Sequence, residues 1–247
     1  PCPSGLVMSR LYMSFDTMKL FTKEAGSLTS PADALKLISK AKEFQECFCI
    51  RRSEKKKLGK LNDAVRYPIK TKLKSTEEHI YILLQANLGD CIDTIADDIG
   101  LKTMARKVYI LSRRISKTLS SCILGNVDRA TFTSAHAALQ VSRALQVNSF
   151  WDGGHIVRQL EGVGPTLATL LINAGVQSIS SLVHMGPRKI EKVLGKNPPF
   201  GDKLLCGVRN IPCFQVVVKQ LTASCKSGPE DNSSSSLQIG IQLQDWA

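Results

Sequence analysis

No stretch of the 247 residues approaches the roughly 20 uninterrupted apolar positions that a bilayer-spanning helix needs, and the first residues lack the charged-then-apolar order of a signal peptide. The expectation is a soluble protein. The eight cysteines, Cys2, Cys47, Cys49, Cys91, Cys122, Cys206, Cys213 and Cys225, contain no C-x-x-C pair and fall short of a disulfide scaffold's density. Reduced thiols in a nuclear or cytosolic compartment fit that pattern, and the single C-x-C at Cys47 and Cys49 reads as core. The four histidines, His79, His136, His155 and His184, have no spacing that builds a zinc site or a nucleophile–base pair. The sequence also lacks a G-x-x-x-x-G-K-[ST] phosphate loop and an acidic magnesium box, so this chain alone is not expected to hydrolyse ATP. No catalytic residue, metal ligand or cofactor is assigned to it. It opens Pro1-Cys2-Pro3 rather than with Met, and so reads as a piece of something longer.

Negative charge is also in deficit. Lys and Arg number 33 against 21 Asp and Glu, a formal net charge of +12, with a pI near 9.4. Such a chain raises the local concentration of a polyanion and speeds encounter with it, which points to nucleic acid. With 43% hydrophobic residues there is enough apolar material for a core.

Helix signals dominate the first two thirds. Ser30-Pro31-Ala32-Asp33 combines a cap, a first-turn proline and a first-turn carboxylate, and predicts a helix to about Phe44 with Leu35, Ile38, Ala41 and Phe44 on one face. Ser75-Thr76-Glu77-Glu78 is a capping box leading into a helix to Leu88, apolar almost all round and therefore central. A helix over 98–124 places Leu101, Met104, Val108, Leu111, Ile115, Leu119 and Cys122 in one seam. Lys102, Arg106, Arg113 and Lys117 lie opposite, widened by Lys107 and Arg114, with no carboxylate from Lys102 onward. Another helix is expected over 129–150. The run Arg51-Arg52 and Lys55-Lys56-Lys57 reads as a solvated face. Beyond Cys213 the alternation of β-branched residues predicts a strand to Leu221, and Leu237 to Leu243 a second, separated by a disordered Ser-rich linker over 227–236.

Leu160-Glu161-Gly162-Val163-Gly164-Pro165-Thr166-Leu167-Ala168 carries the signature of a helix-hairpin-helix. Two glycines allow the tight turn, Pro165 opens the second helix, and Ala168 permits close packing. N–H groups at such a helix start suit a backbone phosphate. Gly162, Gly164 and Thr166 are the candidate contacts, and a weaker echo at Gly186-Pro187 adds Arg188 and Lys189.

Three further segments resemble a known family in order. Gly5-Leu6-Val7-Met8-Ser9-Arg10-Leu11-Tyr12-Met13-Ser14-Phe15-Asp16-Thr17-Met18 is similar to the junction between a winged helix and the Sec-sixty-three domain that follows the motor in Ski-type helicases. Ile50 to Lys56, with Leu58, Leu61-Asn62 and Arg66-Tyr67-Pro68-Ile69, resembles that domain's next signature, and Gln85-Ala86-Asn87-Leu88-Gly89 its third. Asn197-Pro198-Pro199-Phe200-Gly201 and Ile211-Pro212 resemble the meiotic crossover helicases of the Mer-three or HFM-one type rather than the spliceosomal relatives.

The resemblance implies a mainly α chain. It divides into a helical bundle over 1–152 with a ratchet-like helix, a helix-hairpin-helix domain over 153–211, and two strands of an Ig-like β domain over 212–247. It implies a nuclear DNA helicase in meiotic recombination, whose motor and winged helix in cis bind ATP and magnesium while this region grips single-stranded or branched DNA beside recombination proteins. Two departures stand out: Thr166 falls where strongly DNA-binding members often carry Lys, and helix 98–124 has no obvious counterpart to the stacking aromatic that some archaeal relatives place on it. The alternatives are a stand-alone protein-interaction module, or a spliceosomal-type Sec-sixty-three domain that lost its motor.

Overall fold

Ser30 and Ser75 each close a reciprocal capping box in the computed structural model, which describes residues 2–47, 52–92, 99–126, 130–151, 155–221 and 236–244. The helices in chain order are α1 (Pro3–Leu11), α2 (Phe15–Glu24), α3 (Pro31–Ser39), α4 (Lys42–Cys47), α5 (Arg52–Ala64), α6 (Thr76–Leu88), α7 (Ile99–Gly125), α8 (Phe132–Val147), α9 (Pro165–Asn173), α10 (Ile179–Met185), α11 (Pro187–Leu194) and α12 (Phe200–Arg209). Two strands follow, β1 (Cys213–Leu221) and β2 (Ser236–Gln244). The chain is mainly α, as its periodicity predicts. It divides into two compact units, Pro1–Gly153 and Gly154–Ala247, each with its own buried cluster. Cys49, Ile50 and Arg51, like Asp98, Arg129, Cys225 and the Ser-rich segment up to residue 235, lie outside the described residues.

In the first unit α6 is the axis: every residue from His79 to Leu88 is buried, because the segment carries apolar groups on all sides. Helix α7 packs on α1, α2, α6 and α8. Asn87 ties two of these together, its Nδ2 donating to the carbonyls of Leu83 at 2.8 Å and Ala105 at 3.0 Å. The predicted seam of α7 is buried or half-buried, and the helix sinks further than the seam implies: Ser112, Ser116, Thr118 and Ser120 are buried too. Each satisfies its hydroxyl on a carbonyl three or four residues back, so these polar residues enter the core without an orphaned group.

Two helix boundaries differ from the sequence expectation for physical reasons. The helix expected to reach Phe44 breaks after Ser39, and α4 begins at Lys42. The Lys42 N–H is taken by the Thr17 hydroxyl at 3.0 Å, and the same hydroxyl donates to Glu43, so a side chain from α2 captures the amide that would have continued α3. Leu35, Ile38, Ala41 and Phe44 are nonetheless all buried. Helix α8 starts at Phe132, where Thr131 and Ser134 form a capping box, and stops at Asn148, whose left-handed φ of 55° ends it.

A clamp between Ala64 and Lys70 explains two of the signature segments. Asn62 and Gln85 each hold one backbone unit at both ends. Asn62 accepts from Ile69 N–H at 2.8 Å and donates to Ile69 carbonyl at 2.9 Å. Gln85 accepts from Tyr67 N–H at 2.8 Å and donates to Tyr67 carbonyl at 3.3 Å. Tyr67, so fixed, stacks on Trp151 at 6.3 Å, and the Arg66 guanidinium lies over Tyr67, Phe150 and Trp151 at 5.2 to 5.6 Å.

In the second unit α9 to α12 enclose Val157, Ala168, Leu171, Leu182, Ile190 and Val208. Glu191 is buried, and its Oε1 accepts the Gly201 N–H at 3.0 Å, joining α11 to the start of α12. Strands β1 and β2 pair antiparallel, with Phe214 opposite Leu243, Val216 opposite Ile241 and Val218 opposite Ile239. Those six side chains share one face and are all exposed.

Candidate nucleic-acid interface

Solvent-facing positions of α7 recur at Thr103, Arg106, Lys107, Ile110, Arg113, Arg114 and Lys117, the spacing of a single helical stripe. Five of the six basic candidates on this helix are exposed there, and Lys102 is half-buried. At 1.5 Å per residue, Arg106 to Lys117 spans about 16 Å along the axis. The helix holds no Asp or Glu. Below Lys117 the stripe closes, since Thr118 to Ser120, Cys122 and Ile123 are buried by the neighbouring helices.

Arg113 is positioned by a residue the periodicity of α7 could not reveal. Its Nε donates to Gln146 Oε1 at 3.0 Å, while Gln146 Nε2 donates to the Arg113 carbonyl at 3.2 Å. The bond therefore orients the guanidinium and leaves its charge uncompensated by any carboxylate on either helix. Ile110, 68% exposed in the middle of the stripe, is the one large apolar side chain among these cations.

The glycine turn in the second unit adopts the backbone its composition demands, with Gly162 at φ +82°. Its first limb is a 3-10 helix, His155–Gln159, rather than an α-helix, and its second is α9, begun by Gly164 and Pro165. The first-turn amides of Thr166 and Leu167 have no preceding turn to donate to, and neither a capping side chain nor a first-turn acidic residue of α9 takes their place. Gly162, Gly164 and Thr166 are exposed. Beside the turn, Lys203 of α12 shares with Glu161 and Gly162 the wall of a recess of about 310 Å³. The echo repeats the arrangement: Gly186 at φ +76° and Pro187 open α11, again without a capping side chain or first-turn acid. Lys189 is exposed; Arg188 is exposed as well and approaches Glu191 Oε2 at 3.4 Å.

The basic candidates thus form two groups, one in each unit. Lys55, Lys56 and Lys57 are exposed on α5. Among the described residues no cluster of His, Cys, Asp and Glu could hold a metal ion, and no helix is long and apolar enough to cross a membrane.

Comparison with known proteins extends the picture. The chain is similar to the probable ATP-dependent DNA helicase HFM1 of Xenopus tropicalis, 30% identical over 226 residues, which take in 90% of this chain and 16% of that protein. It is 29% identical to the ATP-dependent DNA helicase MER3 homolog of Oryza sativa subsp. japonica, over 83% of this chain and 17% of that one. Likeness to the U5 small nuclear ribonucleoprotein 200 kDa helicase of Drosophila melanogaster is lower, 21%, over 99% of this chain and 11% of the relative. The chain therefore spans about a sixth of the length of the HFM1 and MER3 relatives it matches. The family described as the Sec63 Brl domain matches residues 1–246. With both units inside that match, the chain belongs to the Sec63 Brl domain family.

Proposed function

We propose that this chain is the strand-gripping accessory region of an ATP-dependent DNA helicase acting in meiotic crossover formation in the nucleus. The observation that carries the reading is the α7 stripe: Arg106, Lys107, Arg113, Arg114 and Lys117 exposed along one helix that has no carboxylate. The names of the HFM1 and MER3 relatives supply the helicase context. In this reading a motor and winged helix in cis bind ATP and magnesium and move the strand, while α7 holds its phosphates by charge. The uncapped starts of α9 and α11, with Thr166, Arg188 and Lys189, add amide and cationic contacts to backbone phosphates. Such contacts carry no base information, which suits single-stranded or branched DNA of any sequence and leaves recruitment to recombination proteins.

A protein-interaction role is the second reading, favoured by the exposed apolar face of β1 and β2. The two separate on salt. Each phosphate neutralised on a single strand contributes about −0.7 to the slope of log affinity against log salt. Charge reversal at Arg106, Arg113 and Lys117 together is expected to weaken single-strand binding at least tenfold at low salt and to flatten that slope by about 2. Unchanged affinity and slope in a folded triple variant refute the grip and leave the protein-interaction reading.

A further inference from the structure

Phe132 opens α8 with 86% of its surface exposed, and its ring lies parallel to that of His136, one turn on, at 5.8 Å between centroids and 8° between planes. One face of the pair is satisfied within the helix; Phe132's remaining surface meets water. Isolated exposed apolar side chains are common on protein surfaces. This one is distinguished by its setting.

Helices α7 and α8 pack side by side, joined by residues 126–131, and the bonds between Arg113 and Gln146 fix their alignment. On α8 the exposed positions Phe132, His136, Leu139, Arg143 and Gln146 recur at spacings of four and three, a single stripe. That stripe meets the α7 stripe at Gln146 and Arg113, then runs about 21 Å along α8 to Phe132. Along the way stands Arg143, another exposed cation. Neither helix contributes an Asp or Glu, whereas together they contribute Lys102, Arg106, Lys107, Arg113, Arg114, Lys117 and Arg143. Two helices that carry cations and no Asp or Glu of their own, with a flat π surface at one end, match what a flexible polyanion carrying planar bases offers.

We infer that Phe132, backed by His136, is a base-stacking platform for a single-stranded DNA segment whose phosphates run along α7 and the Arg143 end of α8. The inference rests on the grip proposed for α7 and adds to it. Without an aromatic, the α7 stripe holds phosphates alone; with Phe132, a base leaving the stripe has a ring to lie on. Stacking of this kind tolerates any base, because each has a π face.

The test uses the full chain and two oligonucleotides of equal length and charge, one with bases throughout and one abasic over its central positions. Phe132→Ala is expected to lower affinity for the base-bearing strand about fivefold or more and to leave the abasic strand unaffected. Phe132→Trp is expected to keep full affinity and to quench a 2-aminopurine placed in the strand. The exposed side chain makes both variants compatible with folding, which circular dichroism checks. If Phe132→Ala binds both strands as the parent chain does, while charge reversal at Arg106, Arg113 and Lys117 weakens both, the platform is overturned and the grip stands. If charge reversal changes neither strand's affinity, the grip itself is overturned and the platform with it.

Discussion

His79 lies within α6 at 3% exposure, and its Nε2 has no hydrogen-bond partner. Burial lowers its pKa from the usual 6.5, the positive charge of Lys55 lowers it further, and Glu78 pulls back only in part. The folded chain therefore keeps the imidazole neutral at a pH where the unfolded chain already binds a proton. Protons bound by the unfolded state exceed those bound by the folded one as pH falls below about 6.5, so stability declines there. Asp16, Asp33 and Glu78 have lowered pKa values, and the stability they contribute is lost only further down, as pH drops below their ordinary 3.8 and 4.5. The interval between pH 6.5 and about 5 thus isolates the histidine. Replacing His79 with Phe is expected to flatten the decline of the urea midpoint across that interval and to leave the steeper loss below pH 4.5 in place.

At the scale of elements, the contact between α11 and α12 has the least room for change. A Cβ on Gly201 would run into the Pro187 carbonyl, which is backbone and cannot rotate away. Glu191 meanwhile commits a buried carboxylate oxygen to the Gly201 amide. Gly201→Ala is expected to cost about 1 to 3 kcal/mol by overpacking, and Glu191→Ala a similar amount by stranding a buried N–H. Thermal denaturation of the two variants and their double mutant measures both, with less than additive loss because they share one junction. The same junction shows what could be read in advance. Asn197 to Gly201 stood out as a signature, but its reason is the close approach of the Pro187 backbone at the start of α11. The cap at Ser30, the capping box at Ser75, the seam of α7 and both strands were legible because cap chemistry and periodicity are local. The break after Ser39 was not, since Thr17 lies more than twenty residues away. The buried serines of α7 were hidden by their polarity. In the candidate site, the stripe from Arg106 to Lys117 could be counted from spacing. Gln146 beside Arg113, and the placement of Phe132 relative to both, required the alignment of two helices.

As a whole molecule, the chain carries two independent buried clusters, one around α6 and one around Leu171, Leu182 and Ile190. Leu83 and Leu182 are fully buried, one in each. Truncating either to Ala is expected to cost about 2 to 5 kcal/mol. Because the clusters share no residue, scanning calorimetry is expected to show Leu83→Ala lowering one transition and Leu182→Ala the other. A single transition lowered equally by both would mean the units unfold as one. The net charge of +12 keeps copies apart in dilute salt, but it does so only over a Debye length of about 10 Å at 0.1 M. Against that repulsion stands the ribbon of β1 and β2, whose three rungs of Phe214 with Leu243, Val216 with Ile241 and Val218 with Ile239 turn an oily side to water. Screening therefore acts in two directions on the same solution: salt that would loosen the proposed grip on a strand also lets these greasy rungs find one another, so rising ionic strength is expected to make copies cluster.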